Sequence, residues 1–107
     1  MKKMIQDKYL NARGGFAKII SISCAKCSKM ILVYQKDGFG NLKRLYFDRI
    51  LSPKNLTKLQ KKDLKEVSAL KCSNCEEIIG NPYIYEKEKR KAFRLYQDSI
   101  TKRKLEI

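Results

Sequence analysis

The sequence contains no histidine and no tryptophan, and it has only eleven acidic residues against twenty-five lysines and arginines. Without histidine, a Ser-His-Asp arrangement is impossible, and general acid–base chemistry would fall to Asp, Glu, Lys or Tyr. The glycines at 14–15 and 38–40 lack the strand–loop–helix setting of a phosphate-binding loop. We therefore expect a protein that is not an enzyme and has no small-molecule substrate.

Long hydrophobic runs are also missing. The apolar stretch at residues 30–34 is far shorter than the roughly 20 residues that a membrane-spanning helix needs. The positive charge at the start of the chain has no apolar stretch behind it, as a signal peptide would require. We expect a cytoplasmic protein with no membrane association, in a reducing compartment where disulfides are uncommon.

A chain of 107 residues with 43% hydrophobic residues is long enough for one small domain. Such a domain buries only about 60–65% of the surface of its unfolded chain, so a covalent or metal staple would matter to its stability. Residues 1–15 carry scattered charge and end in two glycines, which predicts a basic N-terminal arm. Residues 16–107 are predicted to form the single domain, with a basic C-terminal segment.

Hydrophobic patterning favours strands in the first half of the domain. Residues 16–23 are rich in β-branched side chains, and residues 30–34 form a short buried run. Between Lys36 and Asn41, the Asp37-Gly38 pair is typical of a hairpin turn. Residues 42–51 fit a strand or a helix, and the predicted hairpin before them favours a strand.

The second half of the chain is more ambiguous. Pro53 predicts a short helix over residues 54–62. Residues 83–107 fit either a strand, with Phe93 inward and Arg94 outward, or a charged helix, and we favour the strand. The fold class is therefore predicted to be mainly β, a small antiparallel sheet domain.

The four cysteines form the strongest motif. They fall into two pairs, Cys24-Ala-Lys-Cys27 and Cys72-Ser-Asn-Cys75, with 44 residues between the pairs. A two-residue gap lets both sulfurs of a pair reach one tetrahedral ion at roughly 2.3 Å. Four thiolates suit zinc and leave no open position, so we predict one structural Zn²⁺. Disulfides within the pairs, a thioredoxin-like redox pair and an iron–sulfur cluster remain as less favoured alternatives.

The residues around the second pair carry a family resemblance. Glu66-Val67, residues 70–75 and residues 78–80 resemble the second zinc turn of Yippee-like and methionine sulfoxide reductase B-like proteins. The resemblance implies the β-tent fold, and an extended zinc ribbon is the alternative. The reductases also need a cysteine nucleophile on a late strand, and residues 92–96 contain none. Reductase activity is therefore not expected.

The net charge is +14, and a zinc ion with four thiolates would lower it by only about two charges. Such a field attracts polyanions. Asp48 is expected to pair with a neighbouring arginine, and most aromatic rings are expected in the core. The predicted RNA contacts are the basic residues of the arm, of the segment after Pro53 and of the C-terminal end: Lys2, Lys3, Lys8, Arg13, Lys61, Lys62, Arg90, Lys91, Arg94, Lys102, Arg103 and Lys104.

No helix-turn-helix or basic-region-plus-heptad pattern appears, and the charge is spread along the whole chain. Small lysine-rich chains stapled by a four-cysteine zinc resemble ribosomal proteins. We therefore expect a structural zinc-binding ribosomal protein, and more specifically a lineage-specific protein of the bacterial large subunit. Its partners would be ribosomal RNA and neighbouring ribosomal proteins. The alternative is a zinc adaptor that binds an acidic protein partner.

Overall fold

The computed structural model describes residues 5, 7–38 and 40–105. Eight strands, two short α-helices and three 3-10 turns follow one another along this part of the chain. In chain order they are α1 (Lys8–Ala12), β1 (Ala17–Cys24), β2 (Met30–Asp37), β3 (Arg44–Tyr46), a 3-10 turn (Phe47–Arg49), β4 (Ile50–Ser52), α2 (Lys54–Thr57), 3-10 turns (Lys58–Lys61 and Leu64–Glu66), β5 (Leu70–Lys71), β6 (Ile78–Tyr85), β7 (Arg90–Leu95) and β8 (Ile100–Lys104).

The strands form two antiparallel sheets. The first sheet has the order β4-β2-β1-β8 and the second has the order β3-β7-β6-β5. One hydrophobic cluster takes side chains from both sheets, such as Ile22 and Leu32 from the first and Leu45 and Phe93 from the second. The prediction of a mainly β, antiparallel domain is confirmed.

Alternation along the strands explains which residues enter the core. In β1, Ile20, Ile22 and Cys24 are buried on one side. In β7, Phe93 is buried and Arg94 is exposed, as predicted for a strand. The strand prediction for the end of the chain is therefore confirmed.

The hairpin predicted at Asp37-Gly38 is wrong. Strand β2 pairs with β1 and β4, whereas β3 pairs with β7 in the other sheet. Gly38 has a positive φ of 77°, and its N–H donates to the Phe16 carbonyl (2.6 Å). The glycine therefore turns the chain out of the first sheet instead of closing a hairpin.

The segment at 42–51 is not one strand, because it changes sheets. Strand β3 lies in the second sheet, a 3-10 turn follows it, and β4 returns to the first sheet. Buried residues on both sides of the turn, Leu45, Phe47 and Ile50, join the common core. The hydrophobic residues of this segment therefore follow neither the two-residue period of a strand nor the period of a helix, because the chain passes from one sheet to the other.

The short helix predicted after Pro53 is confirmed as α2 and the 3-10 turn that follows it. Three leucines of this region, Leu56, Leu59 and Leu64, pack against the core. The lysines between them are exposed. Among the described residues, no helix is long and apolar enough to cross a membrane.

The described part of the predicted arm packs on the domain. The Asp7 carboxylate caps α1 by accepting hydrogen bonds from the N–H groups of Tyr9 and Leu10. Leu10 is 6% exposed, so the helix contributes a side chain to the buried interior. Lys2 and Lys3 lie outside the described residues.

Candidate metal centre and basic surface

Two turns of the same design hold the four cysteines. The first joins β1 to β2, and the second joins β5 to β6. The Cys24 N–H donates to the Lys29 carbonyl and the Cys72 N–H to the Glu77 carbonyl, both at 2.9 Å. A second bond closes each turn, from the Ser28 N–H to the Cys24 carbonyl and from the Glu76 N–H to the Cys72 carbonyl.

The residue after each pair has a left-handed backbone. Ser28 has a φ of 68° and Glu76 a φ of 64°. This conformation is uncommon for residues other than glycine, asparagine and aspartate. Its recurrence at matching positions shows that the two turns are equivalent half-sites.

The sulfur atoms are close together and unbonded. All four Sγ atoms lie within 4.8 Å of one another, and the cysteines are free. The Cys24 and Cys75 sulfurs are 3.6 Å apart, and the Cys27 and Cys72 sulfurs are 3.5 Å apart. A tetrahedral ion with bonds of about 2.3 Å would hold its sulfur ligands about 3.8 Å apart. The cluster can therefore hold one metal ion, as the cysteine spacing predicted.

The thiols of the cluster differ in acidity. The Asn74 side chain, which reaches across from the other half-site, and the Lys29 N–H lower the pKa of Cys27 to about 6. At Cys75 the Glu77 N–H favours the thiolate, but desolvation and the three neighbouring sulfurs outweigh it and raise the pKa to about 12. Four thiolates this close repel one another, so full ionisation needs a bound cation.

The surroundings of the cluster are closed and partly apolar. Cys24 and Cys72 are buried in the hydrophobic core, and Cys27 and Cys75 are half-buried. The loop at 96–99 contacts the first turn, where the Ser99 carbonyl accepts from the Ala25 N–H, and strand β6 after the second turn, where the Ser99 hydroxyl donates to the Ile79 carbonyl. This setting favours a structural ion over a catalytic one.

A second polar cluster lies at the other end of the strands, and the sequence did not predict it. Arg49 is buried, and its guanidinium pairs with Asp7 at 2.6 Å and with Asp37 at 2.9 Å. The hydrogen bond and charge of Arg49 lower the pKa of Asp7 to about 2. Asp7 and Arg49 lie 42 residues apart in the sequence, so no local motif could reveal the cluster.

Arg90 belongs to the same region. It pairs with Asp48 at 2.6 Å and with Glu88 at 3.1 Å, and it lies between the rings of Tyr9 and Tyr46. Asp48 lies 3.8 Å from the neighbouring Arg49, as predicted, but its closer partner is Arg90, 42 residues away. We call the whole set the ion-pair cluster: Asp7, Arg13, Asp37, Asp48, Arg49, Glu88 and Arg90.

Two predicted RNA contacts are corrected by this cluster. Arg90 is 4% exposed and fully occupied, so it has no surface to offer a phosphate. Arg13 is partly buried and forms a bidentate pair with Glu88. The hydrogen bonds from Arg13 lower the pKa of Glu88, and a hydrogen bond from Arg90 lowers it further. Burial therefore withdraws Arg90 as an RNA contact, and the carboxylate of Glu88 already neutralises the charge of Arg13.

The other predicted contacts are more accessible. Lys91 donates to the Gln60 and Lys62 carbonyls and so fastens β7 to the segment after Pro53. The exposed members of the set lie on α1, on the segment after Pro53, on β7 and on β8: Lys8, Lys61, Lys62, Arg94, Lys102, Arg103 and Lys104. These residues do not share one element or one sheet, because β7 belongs to the second sheet and β8 to the first.

No family model, curated protein or solved structure matches the chain.

Proposed function

We propose that the cysteine cluster holds one structural Zn²⁺. Four thiolates, with no oxygen or nitrogen ligand, favour a thiophilic ion. The sulfur separations of 3.5 and 3.6 Å suit a single ion better than a cluster of several iron atoms, which would hold its thiolates further apart. Elemental analysis of the purified protein tests this, with one zinc per chain expected. Iron bound in stoichiometric amount, with the visible absorption of an iron–thiolate site, would contradict the proposal of zinc.

We further propose that the protein binds RNA as a structural component of the ribosome, through Lys and Arg contacts to phosphate. The observation that supports this most is the distribution of its carboxylates. Four of the eleven acidic residues are committed to three arginines inside the ion-pair cluster. The rest of the chain therefore has twenty-two basic residues against seven acidic ones. Such an uncompensated surface is what a polyanion recognises.

Strand β8 carries one part of this surface. It is the edge strand of the first sheet, and Lys102, Arg103 and Lys104 are all exposed. Charged residues on an edge strand also prevent unwanted strand pairing, which is the simpler explanation of their presence. Alternation directs successive side chains of the strand to opposite faces, so the edge can contact phosphates on either side.

The segment after Pro53 carries another part. Its leucines pack inward, and its lysines at 54, 58, 61, 62 and 65 are exposed. Among the described residues, none of these lysines forms an ion pair. Charge on several elements of both sheets suits a protein surrounded by folded RNA, which is why we favour ribosomal RNA.

Co-sedimentation with ribosomal subunits at low and high salt tests the proposal. We expect the protein to travel with a subunit at low salt and to be released as salt is raised. A protein that stays at the top of the gradient and shows no salt-sensitive binding to ribosomal RNA would contradict it. Binding to an acidic protein under those conditions would then favour the zinc adaptor.

A variant of β8 makes the test specific. Replacing Lys102, Arg103 and Lys104 with glutamine should reduce the slope of log affinity against log salt by about 2 to 3, at roughly 0.7–0.9 per lost phosphate contact. Lys102→Arg with Lys104→Arg keeps the charge and is the matched control. Both variants should retain zinc, because none of these side chains contacts the cysteines. An unchanged slope in the glutamine variant would remove β8 from the contact surface.

A further inference from the structure

The outward side of the second sheet carries arginines and tyrosines on three neighbouring strands. Arg44 lies opposite Arg94, and Tyr46 and Tyr83 lie opposite Ala92 on either side of β7. Side chains at paired positions share a face of the sheet. We call this surface the arginine–tyrosine face: Arg44, Tyr46, Tyr83, Tyr85 and Arg94.

Its guanidinium groups lie against aromatic rings. The Arg44 guanidinium is 4.1 Å from the centre of the Tyr85 ring, and the Arg94 guanidinium is 4.4 Å from the centre of the Tyr83 ring. The Arg44 Nε also donates to the Tyr83 hydroxyl at 2.8 Å. These contacts fix the position of planar groups that are usually flexible on a surface.

The two arginines also lack a carboxylate partner. Among the residues that the structure describes, neither Arg44 nor Arg94 forms an ion pair, whereas Arg13, Arg49 and Arg90 all do. Arg94 is exposed, Arg44, Tyr83 and Tyr85 are half-buried, and Tyr46 is buried, so the accessible rings are those of Tyr83 and Tyr85. The face therefore presents oriented positive charge together with ring surface, and its charge is not neutralised from within.

A small cavity beside the face adds to the positive charge. It has a volume of about 70 Å³ and is lined by Arg44, Lys43, Lys36 and two arginines of the ion-pair cluster. Its one acidic lining residue is Asp37, which already pairs with Arg49. The charge at this edge therefore complements a phosphate group rather than a cation.

We propose that the arginine–tyrosine face binds unpaired RNA nucleotides, whose bases stack on the arginine–tyrosine pairs while their phosphates contact free guanidinium N–H groups. The proposal rests on the proposed RNA binding and adds the form of RNA and its surface. Unpaired bases stack on aromatic rings and on guanidinium planes, and every base has a π-face for this. Duplex RNA keeps its bases stacked inside and offers mainly phosphate and ribose.

The direct test compares two oligomers of equal length and charge on the zinc-loaded full chain. One is a single-stranded oligoadenylate, and the other is an abasic ribose-phosphate oligomer. Stacking should make the oligoadenylate bind about 5- to 150-fold more tightly for each stacked base. The ratio of the two affinities should not change as salt rises, because salt weakens the phosphate contacts of both oligomers equally.

Variants then locate the effect. Arg94→Lys keeps the charge but loses the planar group, and Tyr83→Leu loses the ring; each should lower the affinity for oligoadenylate and leave the abasic oligomer unchanged. Tyr83→Phe keeps the ring and should retain the preference. Lys26→Arg, at an exposed position in the first cysteine turn, is the control and should leave the preference unchanged. Zinc content and the melting temperature confirm that each variant is folded.

The outcomes separate this proposal from the previous one. Equal binding of both oligomers by the unaltered protein would overturn stacking while leaving phosphate binding intact. A preference for oligoadenylate that survives Tyr83→Leu and Arg94→Lys in folded protein would assign stacking to another surface and overturn this face. If neither oligomer binds at low salt, both proposals fail, and binding of polyglutamate would favour an acidic protein partner.

Discussion

The two ends of the strands are tied together by different chemistry. At one end, four thiolates from two equivalent turns join β1 of the first sheet to β5 and β6 of the second. At the other end, the ion-pair cluster joins the end of β2, through Asp37 and Arg49, to the start of β7, through Asp48 and Arg90. Each end therefore joins both sheets, one through four cysteines that can hold a metal ion and one through charges.

The difference lies in how the free energy is distributed. A metal ion gathers its ligands into one centre, so losing one ligand endangers the whole site. In the ion-pair cluster the cost of burying charge offsets much of the attraction, and the main effect of removing one partner is to leave another charge buried and unpaired. We expect the two ends to differ most clearly in how they respond to single substitutions.

The largest effect is expected at the metal end. Cys72→Ser removes a buried ligand and should abolish zinc binding and cooperative folding together. Structural zinc contributes roughly 10–16 kcal/mol of apparent binding free energy in small modules, comparable to the whole stability of a domain at about 5–15 kcal/mol. Metal content and circular dichroism measure both losses. Ser73→Ala, in the same turn but exposed, is the control and should behave as the native protein.

A smaller but substantial effect is expected from Arg49→Met. The substitution leaves the Asp37 carboxylate, which is 5% exposed, without its buried partner. Breaking such a pair costs about 3–5 kcal/mol. Denaturant unfolding with zinc in the buffer measures the loss. Adding Asp37→Leu should recover part of it, and a double variant less stable than the single one would show that the cost is not an unpaired charge.

The ring sandwich around Arg90 should contribute less. Tyr9→Leu removes one of the two rings, 3.9 Å from the guanidinium, and should cost about 0.5–2 kcal/mol. Tyr9→Phe keeps the ring and loses only the long hydroxyl contact to the Glu88 carbonyl. Melting temperatures compare the two. Equal losses would mean that the hydroxyl, and not the ring, matters.

The smallest effect concerns Asp7 and pH. Because its pKa is lowered to about 2 in the folded protein, its charge stabilises the fold above the unfolded value of about 3.9 and ceases to do so as pH falls towards 2. Asp7→Asn retains a good helix cap while removing that charge. The stability difference from native protein should therefore be constant between about pH 8 and pH 5, as measured by denaturant unfolding. A difference that shrinks within that range would mean that Asp7 titrates there and is not strongly paired.

The two ends also differ in how far the sequence could predict them. A Cys-x-x-Cys pair is local, so the spacing within the two pairs alone predicted that the four cysteines would cluster. The ion-pair cluster joins Asp7, Asp48 and Arg90, which meet only because the sheets fold together. Without that information, Arg13 and Arg90 looked like surface charges. The same limit misplaced the turn at Gly38, since its local pattern does not record which sheet the next strand enters.

The order in which the half-sites are synthesised follows from their position in the chain. Cys72 is made 45 residues after Cys27, which corresponds to about 2–9 seconds at common rates of translation. During that interval a metal ion could be held by one cysteine pair only, within a hairpin whose strands are already complete. The loop at 96–99 is made later still, and it contacts the first turn and strand β6, which follows the second turn. Synthesis of this loop, rather than of the last cysteine, is thus the step that would complete the enclosure of a bound ion.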